Sequence, residues 1–114
     1  MSENSLTILR GTLDIMILKT LSTRAMHGYE LNCSLSKQSC SAFQVNEGVL
    51  YPALRRMENK GWLKADWGMT ETGREARIYQ ITEEGRAHLA AQLKMWDRYV
   101  EAMALVLSGS EAAS

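Results

Sequence analysis

Six apolar residues near the end of the chain, Leu89, Leu93, Trp96, Val100, Met103 and Leu107, follow one another at intervals of 4, 3, 4, 3 and 4. Alternating fours and threes keep every member on one stripe of an α-helix, and a run of nearly three heptads is an a/d seam. A seam of this kind has to lie against something. It can pack on its own domain or on the same helix of a second copy. The chain has 114 residues, enough for one modest core. This helix follows every other element, so its far end projects beyond them, and nothing else in the chain is available to cover Val100, Met103 and Leu107. A two-fold dimer, the commonest oligomer, supplies the cover. Residues 82–107 are therefore read as a C-terminal dimerisation helix and 108–114 as a flexible tail. Thr82 is placed to cap the helix, and Glu83 and Glu84 sit in its first turn, where the helix dipole favours acid.

Upstream, Leu6, Leu9, Leu13, Met16, Ile17 and Leu21 share one helical face, while Ile8, Ile15 and Leu18 fall off it. A helix with so few polar positions is buried on more than one side, and a second subunit is one source of that cover. Leu9 and Leu13 are assigned to the dimer interface on this basis. After the break at His27-Gly28, Tyr29 to about Gln38 reads as a second helix held by Leu31 and Leu35. A polar turn follows, Ser39 to Gln44. A third helix runs from about Glu47 to Lys60, with Asn46 as N-cap and Gly61 as the C-terminal glycine. Leu50, Leu54 and Met57 form its inner face. Gly48, Pro52, Arg55 and Asn59 lie on the opposite face, flanked by Tyr51 and Arg56. Pro52 fits best if the helix starts near Gly48 or Val49, because an interior proline removes a helical hydrogen bond. Trp62 to Trp67 and Ala76 to Ile81 read as two strands joined by a Gly- and Thr-rich loop.

Three helices, a two-stranded ribbon and a last helix make a mainly α chain with a two-stranded β-wing. This is a winged helix-turn-helix over residues 1–81, plus the C-terminal dimerisation helix. Composition bounds what such a chain does. Apolar residues are 46% and charged residues 23%, the balance of a globular protein. No apolar run approaches the roughly 18 residues of a membrane span. Met1 to Leu9 lacks a basic region and a small-residue cleavage site, so a cytoplasmic location is expected. Cys33 and Cys40 are then read as two free thiols, a redox pair being the alternative. Lys and Arg number 13 and Asp and Glu number 13, so a nucleic-acid reading must rest on local charge, such as the run Arg55, Arg56, Lys60 and Lys64. His27 and His88 stand on different elements without a nucleophile motif. His27, Cys33 and Cys40 lack metal-ligand spacing, and no phosphate loop is present. Neither catalysis, metal nor cofactor is expected.

The chain resembles the PadR family of bacterial transcription regulators in its short form with one C-terminal helix. The resemblance spans about residues 6–107. Its carriers are Leu9-Arg10-Gly11-Thr12-Leu13-Asp14, Met26-His27-Gly28-Tyr29, Gly48-Val49-Leu50-Tyr51-Pro52-Ala53-Leu54, Gly61-Trp62-Leu63 and Ile81-Thr82-Glu83-Glu84-Gly85. The resemblance implies a homodimer whose third helix enters the major groove of double-stranded DNA while the wing touches the flanking backbone. It points to Asn46, Gly48, Tyr51, Pro52 and Arg55 as groove-facing positions, with Arg56 beside them. Tyr29 looks like the family's phosphate-contacting tyrosine, and Arg74 and Arg77 are implied backbone contacts. Related wings commonly carry two adjacent arginines, whereas here Glu75 follows Arg74. The family also implies a repressor answering a small molecule or stress signal, and the dimer reading implies an inverted-repeat operator. Trp96 and Met103 are candidates to line an apolar effector cavity, or simply to fill the interface. The competing reading is a winged-helix protein-interaction module that does not bind DNA.

Overall fold

Thr12–Leu21 forms α1, Met26–His27 β1, Gly28–Gln38 α2, Glu47–Asn59 α3, Leu63–Met69 β2, Glu75–Ile81 β3 and Glu83–Ser108 α4. The computed structural model describes residue 8 and residues 11–109. Leu6 and Leu9 of the expected first helix lie outside the described residues. The helix itself begins only at Thr12, behind Gly11 in the left-handed region at φ +88°. A left-handed residue ends a helical run, so Gly11 fixes this start.

The element order is the expected one, with an addition. The two-residue β1 joins the ribbon, giving a three-stranded antiparallel sheet in the order β1-β3-β2. Met26 pairs with Tyr79 and His27 with Ile78. His27 then turns from the sheet into α2 as its N-cap, accepting from the Glu30 N–H while the Glu30 carboxylate reaches back to the His27 N–H. One histidine thus serves both strand and helix.

α1 is buried on several sides, but by its own chain. Ile17, Leu18 and Leu21 are fully enclosed, and Leu18, off the apparent stripe, is among them. Ile8, Ile15 and Met16 pack against the same core. α2, α3, β3 and α4 all meet α1. Leu31, Leu50, Leu54, Met57 and Leu63 complete the centre. Each such side chain contributes on the order of 1.5–3 kcal/mol by leaving water.

Local hydrogen bonds orient α3. Ser39 Oγ donates to the Leu35 carbonyl and accepts from the Phe43 N–H, which closes the turn after α2. Cys40 and Ser41 follow in left-handed conformations, φ 54° and 67°, unusual for residues other than glycine. Asn32 Nδ2 donates to the Val45 carbonyl at 2.7 Å and ties the far side of the turn to α2. Asn46 then caps α3 through its side chain on the Val49 N–H at 3.0 Å.

The turn that follows α3 is bonded to the start of α4. Thr82 Oγ1 donates to the Gly61 carbonyl at 2.6 Å, and its N–H donates to the Trp62 carbonyl at 3.0 Å. The same hydroxyl accepts from the Gly85 N–H to start α4. A Cβ at Gly85 would run into the Trp62 carbonyl oxygen, and the Trp62 and His88 rings stack at 3.7 Å. From this joint α4 projects outward, and the molecule measures 60 × 35 × 21 Å. Ser108, assigned to the tail by the sequence, is the last residue of the helix. Gly109 ends it at φ +71°, and residues 110–114 lie outside the described residues.

Candidate nucleic-acid interface

A cleft of about 850 Å³ lies between α2, α3 and the wing. Its floor is the start of α2. Gly28 is buried there because the Tyr51 ring of α3 lies directly over it. A Cβ at Gly28 would approach the Tyr51 hydroxyl to 2.5 Å. Tyr51 is thus anchored against α2 while 40% exposed, and Tyr29 stands beside it, 70% exposed. Burial first, then the Glu47 carboxylate and Tyr79, push the Tyr51 phenol above its ordinary 10.0. Hydrogen bonding to Cys33 pushes that of Tyr29 up as well. Both therefore keep their protons at neutral pH and can donate to phosphate oxygens.

The four arginines expected to face DNA divide into two classes. Arg55 and Arg74 are exposed and pair with no described residue. Arg56 instead forms a two-pronged bond to Asp14 of α1, 2.7 Å at the shorter prong, and Arg77 bonds Glu58 of α3 at 2.7 Å. Their guanidinium groups brace α3 against α1 and the wing against α3. A helical wheel cannot show this, because the partners lie 42 and 19 residues away. Outside the cleft, Arg24 is likewise held by Glu30 at 2.9 Å. Burial raises the Glu30 carboxyl, but the Arg24 bond and the His27 N–H outweigh it and leave the group below its ordinary 4.5.

Around the start of α3, Asn46 is occupied as the cap. Gly48 sits where a Cβ would press to 3.2 Å on the Asn46 side-chain oxygen, so the glycine also serves the cap. Pro52 lies inside the helix rather than in its first turn, because α3 begins at Glu47. Having no N–H, it leaves the Gly48 carbonyl without its helical donor on the exposed face.

The sequence reading missed Trp67. Directly opposed residues of the ribbon share a face. Leu63/Ile81 and Ala65/Tyr79 fill the core, and the next pair outward on that face is Trp67/Arg77. Trp67 lines the cleft, 68% exposed. Strand alternation, carried two residues past the core, was the available signal.

The expected dimer positions also divide. Leu13 and Leu89 belong to the core of their own chain, 8% and 7% exposed, and Leu93 packs against that core. Their own subunit already covers most of their surface. Trp96, Val100, Met103 and Leu107 are 38%, 47%, 39% and 75% exposed on the projecting part of α4. Trp96 stacks on Tyr99 with ring centroids 6.0 Å apart. Leu9 lies outside the described residues. Cys33 and Cys40 are free and exposed. Among the described residues no His, Cys, Asp and Glu cluster is placed to hold a metal, and no helix is long and apolar enough to cross a membrane.

Residues 17–91 match the model of the transcriptional regulator PadR-like family. The chain belongs to this family. An uncharacterised protein of Lysinibacillus sphaericus is 33% identical over 104 residues, 91% of this chain and 95% of its own length. The transcriptional regulator Rv3488 of Mycobacterium tuberculosis is 34% identical over 80 residues, 70% of this chain and 71% of its own. Among solved structures, a PadR-like transcriptional regulator of Bacillus cereus superposes with a TM-score of 0.75 at 28% identity, covering 87% of this chain and 94% of the other. The winged-helix architecture and the role of transcriptional regulator follow, and a PadR-like regulator implies DNA binding.

Proposed function

We propose that this PadR-like regulator is a sequence-specific repressor that binds an inverted-repeat operator as a homodimer. The observation that carries the reading is the division among the arginines. The cleft keeps the guanidinium groups of Arg55 on the reading helix and Arg74 on the wing without ion-pair partners among the described residues, where a duplex would lie. α3 enters the major groove, and Arg55 donates a bidentate pair to guanine O6 and N7. Tyr29, Tyr51 and Arg74 bond the flanking phosphates. Such backbone contacts set register while the base contact supplies specificity. The apolar face of α4 from Trp96 to Leu107 meets its copy across a two-fold axis. In that dimer Trp96 and Met103 of both copies approach one another, and an apolar effector lodging between them would loosen the operator complex.

The deciding experiment is a fluorescence-anisotropy titration with a duplex from the gene's upstream region beside a scrambled duplex at physiological salt. The expected result is binding at least about a hundredfold tighter to the native duplex. Equal binding of both, in the roughly 10⁻⁴–10⁻⁶ M range of non-specific association, overturns the sequence-specific reading. The neutral net charge would then favour a protein-interaction module.

A further inference from the structure

The wing carries a large aromatic side chain where its apolar face runs out over open space. The pairs Leu63/Ile81 and Ala65/Tyr79 close the core, and the same face continues to Trp67/Arg77 and Met69/Glu75. Trp67 and Met69 are 68% and 65% exposed. An indole at that exposure gains little from folding. It is nonetheless held in place from behind. The Arg77 guanidinium lies 5.8 Å from the centre of the Trp67 ring, and Glu58 of α3 holds that guanidinium at 2.7 Å. The chain of contacts runs from the reading helix through Glu58 and Arg77 to the indole. Trp67 and Arg77 line the same cleft as Tyr29, Tyr51, Arg55 and Arg74.

We infer that Trp67 is a DNA contact and that Arg77 is its positioning residue rather than a phosphate ligand. The inference rests on the DNA-binding reading above. The flat indole lies on the deoxyribose edge of the strand that passes between α3 and the wing, and its Nε1–H is available to a phosphate oxygen. Because a sugar is common to every nucleotide, the contact adds affinity without choosing sequence. Arg77, its charge already matched by Glu58, fixes the angle of the indole and adds nothing to the count of neutralised phosphates. Arg74 at the wing tip adds one.

The test uses the full chain labelled with 5-fluorotryptophan, which gives three ¹⁹F resonances; Trp67→Phe and Trp96→Phe assign them. The duplexes are the native and the scrambled one, at low salt so that both bind. On complex formation the Trp67 resonance is expected to shift and lose most of its H₂O/D₂O isotope shift, with either duplex. Trp67→Ala is expected to weaken both complexes about tenfold. Arg77→Met is expected to move the Trp67 resonance of the free protein while Trp62 and Trp96 stay in place, and Arg77→Lys to restore it. A general loss of structure would move all three. Arg77→Met should also leave the slope of log affinity against log salt unchanged, whereas Arg74→Ala lowers it by about 0.9 for the phosphate that is no longer neutralised. A solvent-exposed, unshifted Trp67 in a complex that anisotropy shows to be formed overturns the inference and leaves the DNA-binding reading intact. A fall in the salt slope with Arg77→Met overturns the positioning role. Absence of any complex at low salt overturns both readings together.

Discussion

Arg55 and Arg56 are neighbours in sequence, and the fold gives them opposite tasks. Arg55→Ala is expected to cost roughly 1–3 kcal/mol of operator binding and to relax preference at one base position, which competition titrations with singly substituted duplexes will read. Arg56→Ala removes an ion pair with partly exposed members, 47% and 21%. Its expected cost is at most about 1 kcal/mol of folding stability in a urea titration, with base preference unchanged. Glu30 supplies a pH dependence of defined sign. Its folded pKa lies below its unfolded one, so its stabilisation is present above 4.5 and disappears as pH falls through the folded value. The stability difference between the parent and Glu30→Gln should therefore be constant near neutral pH and close below 4.5. Melting curves across that range that keep a constant gap would contradict it. Such partnerships were not legible in the sequence. Charge and helical phase place Arg56 at the margin of an exposed face, and only the folded chain brings Asp14 to it.

At the scale of elements, the ends of helices were the most legible features, because caps are local chemistry. Asn46, Thr82 and Gly61 stand where side-chain acceptors and a left-handed turn demand them. The strand β1 was illegible. Two residues carry no alternation, and Met26–His27 is a strand only because β3 leaves an edge beside it. α1 was legible only in part. Its many apolar positions predict burial on several sides but not by which chain, and here α2, α3, β3 and α4 provide it. Gly85 gives a test of element packing. Alanine has the higher helix propensity by about 1 kcal/mol, yet its Cβ would collide with the Trp62 carbonyl. Gly85→Ala is accordingly expected to destabilise by roughly 1–3 kcal/mol, seen as a lower thermal midpoint. A stabilised variant would mean that α4 is free to shift away from the Trp62 carbonyl.

For the whole molecule the open quantity is the second copy. Trp96→Ala combined with Val100→Asp places a cavity and a charge on the projecting face of α4, away from the core. A monomer with an unchanged circular-dichroism spectrum is the outcome expected in sedimentation velocity, and a persisting dimer would move the interface elsewhere. The Thr82 joint gives that assembly a mechanical character. Its hydroxyl starts α4 and also bonds the end of α3, so the reading head and the 26-residue helix act as one lever with its fulcrum at Gly61 and Trp62. At about 1.5 Å per residue the arm is roughly 39 Å long. A displacement of about 1 Å at its far end turns the head by only about 1.5°.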